Sequence, residues 1–160
     1  MKSDYEASIA IEKYADMVRR ICLLHLKNQQ DTEDIFQTVF LKYVLYSGEF
    51  KSEEHEKAWF ARVTINACKD LLKSFYRRNT VPLDAIAETA AETDSEQTGV
   101  LEAVLSLPKK YKDAIYLFYY EGYSALEIAR IIKKKENTVY TLLSRGRQLL
   151  KEKLGGEEFE

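Results

Sequence analysis

The chain has 160 residues, with 24 basic and 26 acidic side chains, a net charge of −2 and 46% hydrophobic residues. This is enough for one or two small domains with cores of their own, and no apolar run approaches the roughly 18 residues that a membrane-spanning helix requires. Two cysteines, Cys22 and Cys68, cannot build a disulfide framework and suit a reducing compartment, and the charged start lacks a signal-peptide apolar block, so a cytoplasmic location is expected.

The net charge conceals strong segregation. Residues 1–56 carry −4, residues 57–78 carry +5, residues 79–104 carry −6, residues 105–154 carry +6 and the last six carry −3. Two basic segments separated by an acidic one point to two nucleic-acid surfaces. Cys22 and His25 have ligand-like spacing, but no second pair closes a tetrahedral metal site, so a buried cysteine and a partly buried histidine are expected.

Proline occurs only at Pro82 and Pro108 and glycine is scarce, so long helices are unhindered. Helical spacing predicts helices over 5–27, 31–46, 55–77, 97–105, 108–121, 124–132 and 136–153. The fold class is therefore all-α, and no strand pattern survives. Asp31 is the expected cap of the second helix, with Glu33 and Asp34 against the positive end of its dipole. That helix turns Ile35, Phe36, Val39, Phe40, Tyr43 and Val44 to one side. Asp34, Gln37 and Leu41 lie on the other, where an exposed leucine beside an acid and an amide suits a protein contact. A solitary exposed leucine, however, is ordinary on any surface.

The third helix has Phe60, Val63, Ala67, Leu71 and Phe75 as its expected buried face. Arg62, Asn66, Lys69, Lys73 and Arg77 follow one another at spacings of 4, 3, 4 and 4, with Arg78 extending the stripe. Only Asp70 balances these charges, so a merely solvated face is a poorer account than a phosphate track with one base-reading amide. Trp59 and Phe60 could stack on an unpaired base, although packing beneath the helix suits Trp59 better. Residues 79–100 have five acids, no basic residue and no aromatic one; such composition describes a flexible acidic linker.

Pro108 opens a helix and Gly122 stops it. Ser124 and Glu127 then form a capping box, with Tyr123 and Ile128 at the staple positions. A short apolar helix, the run Lys133-Lys134-Lys135, and a helix burying Val139, Leu142, Leu143, Gly146, Leu149 and Leu150 complete a helix-turn-helix pattern. Its second helix can enter a major groove, and Arg145, Arg147, Lys151 and Lys153 favour DNA over a plain helical hairpin.

The order of these parts resembles the extracytoplasmic-function sigma factors, the smallest class of the bacterial sigma-70 family. Asp31-Thr-Glu-Asp-Ile-Phe-Gln-Thr-Val-Phe-Leu is similar to the polymerase-binding motif. Lys57-Ala-Trp-Phe-Ala-Arg-Val-Thr-Ile-Asn-Ala-Cys-Lys-Asp-Leu-Leu is similar to the promoter-melting helix. Leu107-Pro108, Glu121-Gly122-Tyr123-Ser124, Glu127-Ile128-Ala129, Thr138-Val139 and Arg145-Gly146-Arg147 match the C-terminal domain in register. The resemblance implies two small helical domains: a sigma region 2 bundle over 1–78 and a region 4 helix-turn-helix over 101–154. A flexible acidic linker (79–100) joins them, and an acidic tail (155–160) follows.

The implied partners are core RNA polymerase, promoter DNA and an anti-sigma factor, with no membrane contact, cofactor, metal or catalytic residue. Asp31, Asp34, Gln37 and Leu41 would bind the polymerase. Lys57, Arg62, Asn66, Lys69, Lys73, Arg77 and Arg78 would meet the downstream promoter element, and the loop Gly48 to Glu53 would hold an extruded base. Lys135, Asn137, Thr138, Tyr140, Thr141, Ser144 and Arg145 would meet the upstream element. The lysine run departs from the family, which usually has glycine, an aliphatic residue and a cap-former there. A left-handed non-glycine residue costs on the order of 1 kcal/mol, so Lys133 is expected to favour a different turn and Lys134 to bury its stem while its amine snorkels.

The rival reading is a polymerase-independent helix-turn-helix regulator with a sensing or dimerising N-terminal domain, which would have no need of a second basic stripe. An enzyme with Cys68 as nucleophile lacks a histidine with an identifiable partner role.

Overall fold

A computed structural model of the protein describes residues 1–26, 28–79 and 99–155, without the side chains of 75–79 and 99–101. Among the described residues there are seven helices and no strand, in two compact units. The expected linker falls almost wholly outside the described residues, as does most of the acidic tail.

In the first unit α1 spans Asp4–His25, α2 Gln29–Leu45 and α3 Glu53–Asn79, and each packs on the other two. Local capping sets the starts. Ser3 and Glu6 form a capping box that brings the start of α1 to Asp4. Asn28, not Asp31, caps α2: its Oδ1 accepts the Asp31 N–H at 2.8 Å, while its Nδ2 donates to the Asp31 carboxylate at 2.7 Å. Asp31 is therefore an acid of the first turn, where it also faces the helix dipole favourably. Ser52 receives the His55 N–H at 3.0 Å and starts α3 two residues before the expected position.

The core joins Val18, Ile21 and Cys22 of α1 to Ile35, Val39 and Phe40 of α2 and Phe60, Ala61, Ile65 and Cys68 of α3. The buried face of α3 is thus rotated from expectation, with Val63 and Leu71 only half-buried. Cys22 and Cys68 are buried and not joined in a disulfide, their sulfurs 4.0 Å apart across α1 and α3, and His25, one helical turn after Cys22, is buried as well. The Phe60 ring lies 4.7 Å from Tyr14, 5.1 Å from Phe40, 4.9 Å from Tyr43 and 5.1 Å from Trp59, centroid to centroid.

Above this cluster the Glu56 carboxylate accepts from two phenols: Tyr14 Oη at 2.8 Å and Tyr43 Oη at 2.9 Å. Burial, then the hydrogen bond to Glu56, pushes both phenols well above the ordinary tyrosine value of 10.0. A folded-state pKa raised above the unfolded one stabilises fully below about pH 10, and that contribution is lost as pH rises further.

In the second unit α4 spans Gly99–Leu105, α5 Lys109–Tyr119, α6 Ala125–Ile132 and α7 Glu136–Leu154. The capping box of α6 is present: the Glu127 N–H donates to Ser124 Oγ at 3.2 Å and the Ser124 N–H to Glu127 Oε1 at 2.9 Å. Gly146 is buried where α7 crosses α5; a Cβ there would come within 2.8 Å of Ile115 Cγ1, so the packing distance requires glycine. Lys133 does not force a different turn. It adopts the left-handed conformation (φ 58, ψ 50), and the Lys134 N–H closes the helix end onto Ala129 O at 3.0 Å. Lys134 is exposed instead of laying its stem in the core.

Two stability outcomes follow. Glu56→Ala removes the acceptor shared by two tyrosine hydroxyls, leaving Tyr14 only the Glu53 carbonyl at 3.5 Å, and should cost about 2–4 kcal/mol in urea unfolding followed by the fluorescence of Trp59. Adding Tyr14→Phe should then cost less than it does in the parent, whereas strict additivity would contradict a shared acceptor. Lys133→Gly should relieve left-handed strain by about 1 kcal/mol, raising amide-exchange protection of α6 and α7 roughly fivefold; Lys133→Ala should not.

Candidate nucleic-acid interface

Three surfaces carry the expected site residues. On α2, Asp34 and Gln37 are exposed and Leu41 is 60% exposed, opposite the buried Ile35, Val39 and Tyr43. Thr38 Oγ1 donates back to Asp34 O at 2.9 Å, which leaves the Asp34 carboxylate clear of that bond. Asp31 is half-buried and engaged by Asn28, so it belongs to the helix start more than to the patch.

On α3, Asn66 and Lys73 are exposed and Arg62 and Lys69 half-buried, in a row along the side away from Phe60, Ala61 and Cys68. Lys57 is half-buried near the start of the helix. Arg77 and Arg78 lie in its last turns, and their side chains are outside the described residues. Trp59 is 6% exposed and Phe60 fully buried, so neither is a free stacking platform; both belong to the core.

The segment between α2 and α3 is built around aromatic rings. The Trp59 ring packs 5.2 Å from Tyr46 and 5.9 Å from both Tyr43 and Phe50, and Phe50 lies 5.5 Å from the His55 ring. His55 Nδ1 accepts the Lys51 N–H at 3.0 Å, which ties the loop to the first turn of α3. Gly48 lies directly under Tyr46: a Cβ there would stand 2.4 Å from the ring. From the N-terminus, the Lys2 ammonium donates to Tyr43 O at 3.0 Å and Tyr46 O at 2.7 Å, and lies 4.5 Å from the Tyr43 ring centroid. Sequence reasoning placed a base-holding loop here but missed its ring lining and its lysine. The recurrence of Tyr46, Phe50, His55 and Trp59 every four or five residues was the available signal.

On α7 the buried Val139, Leu142, Leu143, Gly146 and Leu150 leave Asn137, Thr138, Tyr140, Thr141, Ser144 and Arg145 exposed on the other side. Lys133, Lys134 and Lys135 form an exposed cationic approach to the start of the same helix. Thr141 Oγ1 donates to Asn137 O at 3.2 Å and the Tyr140 hydroxyl faces Glu136 at 3.4 Å. Each unit therefore presents an amphipathic helix whose outward side is polar or basic, the pattern that nucleic-acid contact requires.

Comparison with known proteins agrees with this arrangement. Residues 10–79 match the family described as Sigma-70 region 2 and residues 98–150 the family described as Sigma-70, region 4, together covering most of the chain. The ECF RNA polymerase sigma factor SigM of Mycobacterium tuberculosis is 27% identical over 140 residues, 86% of this chain and 71% of that protein. The ECF RNA polymerase sigma factor SigW of Bacillus subtilis is 28% identical over 173 residues, 96% of this chain and 91% of that one. The fold is shared with the sigma factor RpoE of Bartonella quintana, solved in complex with the anti-sigma factor NepR: TM-score 0.73, 17% identity, 94% of this chain and 98% of that one. CnrH, solved with the cytosolic domain of CnrY, is similar at TM-score 0.66 and 16% identity over 98% and 92%.

Two helical units carrying these two regions define an RNA polymerase sigma factor, a protein that directs transcription initiation. The chain belongs to the sigma-70 family, in its extracytoplasmic-function class. Among the described residues no helix is long and apolar enough to cross a membrane.

The ring cluster yields its own test. Gly48→Ala should push the Tyr46 ring off Trp59 at a stability cost below about 1 kcal/mol, and acrylamide should then quench Trp59 more efficiently. Unchanged quenching would show that the loop absorbs the added methyl elsewhere.

Proposed function

We propose that residues 1–78 act as region 2, binding core RNA polymerase through α2 and opening the promoter duplex through α3, and that residues 101–154 act as region 4 on the upstream element. Residues 79–100 serve as the tether. The observation that carries this reading is the row of exposed Asn66 and Lys73 with half-buried Arg62 and Lys69, set on a helix whose other side is the core of the first unit. A ligand sensor attached to a DNA-binding domain has no need of such a row.

In this reading Asp34, Gln37 and Leu41 dock on the polymerase, with Asp31 shaping the start of their helix. Arg62, Lys69 and Lys73, with Lys57, Arg77 and Arg78 at the two ends, attract the phosphates of the downstream element. Asn66 reads a base, since an uncharged amide offers both a donor and an acceptor. Lys135, Asn137, Thr138, Tyr140, Thr141, Ser144 and Arg145 meet the upstream element in the major groove, and the exposed lysine run supplies phosphate attraction that a basic residue at Tyr140 would otherwise give. The chain performs no chemistry itself; the polymerase does. It works in the cytoplasm, where an anti-sigma factor would hold it inactive, by analogy with RpoE in its complex with the anti-sigma factor NepR.

The experiment is permanganate footprinting of the melted region with salt-titrated binding, using holoenzyme and a panel of single-base promoter variants. Asn66→Ala should lose about 1–3 kcal/mol on the preferred downstream sequence and less on variants altered at the contacted base. Lys73→Ala should weaken all variants alike and reduce the salt slope by about one. Equal losses on every variant, with the parental salt slope in both mutants, would contradict the roles given to α3.

A further inference from the structure

We infer that Lys2 is a positioning residue for promoter opening, an internal clamp that fixes the loop between α2 and α3 in the geometry that receives an unpaired base. This rests on the reading of α3 and its loop given above. Three observations converge on Lys2. Its backbone N–H donates to Val44 O at 2.9 Å. Its ammonium donates to Tyr43 O at 3.0 Å and Tyr46 O at 2.7 Å. The same ammonium lies 4.5, 5.3 and 5.8 Å from the ring centroids of Tyr43, Tyr46 and Phe50.

The two carbonyls belong to the last turn and the C-terminal cap of α2. A cation there gives Tyr46 O a donor, adds a second donor to Tyr43 O, which already accepts the Tyr46 N–H at 3.2 Å, and opposes the negative end of the helix dipole. The ring faces add an attraction that grows as the ammonium loses water, and Lys2 is half-buried. Tyr46 is where α2 ends and the loop begins, so fixing its carbonyl fixes the departure direction of the chain. Its ring in turn covers Gly48 and lies against Trp59. One ammonium therefore sets the orientation of the ring-lined loop without contacting the surface of α3. A loop already held in place receives a base without the entropy cost of ordering seven or so residues at that moment.

The test uses the 160-residue chain, tagged at the C-terminus, as the parent, Lys2→Met and Lys2→Arg. Methionine keeps an unbranched apolar stem, one atom shorter, without the charge or donors; arginine keeps the charge and donors. Assembled with core polymerase, Lys2→Met should open promoter DNA roughly tenfold less well, read by permanganate reactivity. Its affinity for core polymerase should match that of the parent, acrylamide should quench its Trp59 more, and Lys2→Arg should restore opening. Opening at the parental level in Lys2→Met, or opening and core affinity falling by one factor, would overturn the clamp. The two readings fail separately. A parent that opens no promoter overturns the role of α3, whereas equal quenching of Trp59 in parent and Lys2→Met overturns the positioning by Lys2 alone.

Discussion

The first unit is organised around one carboxylate shared by two phenols. Glu56 stands in the first turn of α3, where the helix dipole favours a negative charge, and receives Tyr14 from α1 and Tyr43 from α2. Hydrogen bonds to a charged acceptor contribute about 1.5–3 kcal/mol each, enough to fix how the three helices meet. The consequences run outward from there. Tyr43 packs on Phe60 below and carries the Lys2 ammonium over its ring. Trp59, three residues beyond Glu56, is then drawn under the loop rings, and the row from Arg62 to Lys73 is turned to solvent. The apolar core supplies most of the stability, but the shared carboxylate determines which side of α3 faces out.

The second unit shows a different compromise. Close packing of α7 on α5 depends on Gly146, because any side chain there meets Ile115. The helix-turn-helix corner, by contrast, is made by Lys133 in a conformation that glycine would adopt at less cost. Strain of this kind persists where the surrounding structure over-determines it. Here the capping box of α6 at one end and the Lys134 closure at the other hold the corner in place. A lysine run at the corner places three positive charges at the start of α7, the helix proposed to meet the upstream element, where they would attract phosphate. The structure thus combines a small stability cost with added electrostatic attraction.

Much of this was legible in the residues. Apolar spacing and the scarcity of glycine and proline gave the helices, and Ser124 with Glu127 gave the start of α6, because these depend on local chemistry. The segregation of charge pointed to α3 and α7 before any coordinates. What the sequence could not show was long-range. Asn28 displaced Asp31 as the cap of α2 because both are good caps and only the turn geometry chooses between them. The rotation of the buried face of α3 toward Trp59, Ala61 and Ile65 follows from the Glu56 bridge, which joins residues 42 apart. Lys2 is 44 residues from Tyr46, and no periodicity links them. Lys133 looked incompatible with its turn because steric cost alone ignores what the neighbours enforce.

The central claim is that the two outward-facing helices serve one act, the selection and opening of promoters by core polymerase. The most direct measurement is to sequence the 5′ ends of transcripts made in vitro by core RNA polymerase on genomic DNA, with and without the chain. The account predicts new start sites that appear only with the chain and share two sequence blocks at constant spacing upstream, one for each helix. Start sites identical to those of core polymerase alone, or new ones sharing no such pair of blocks, would contradict it.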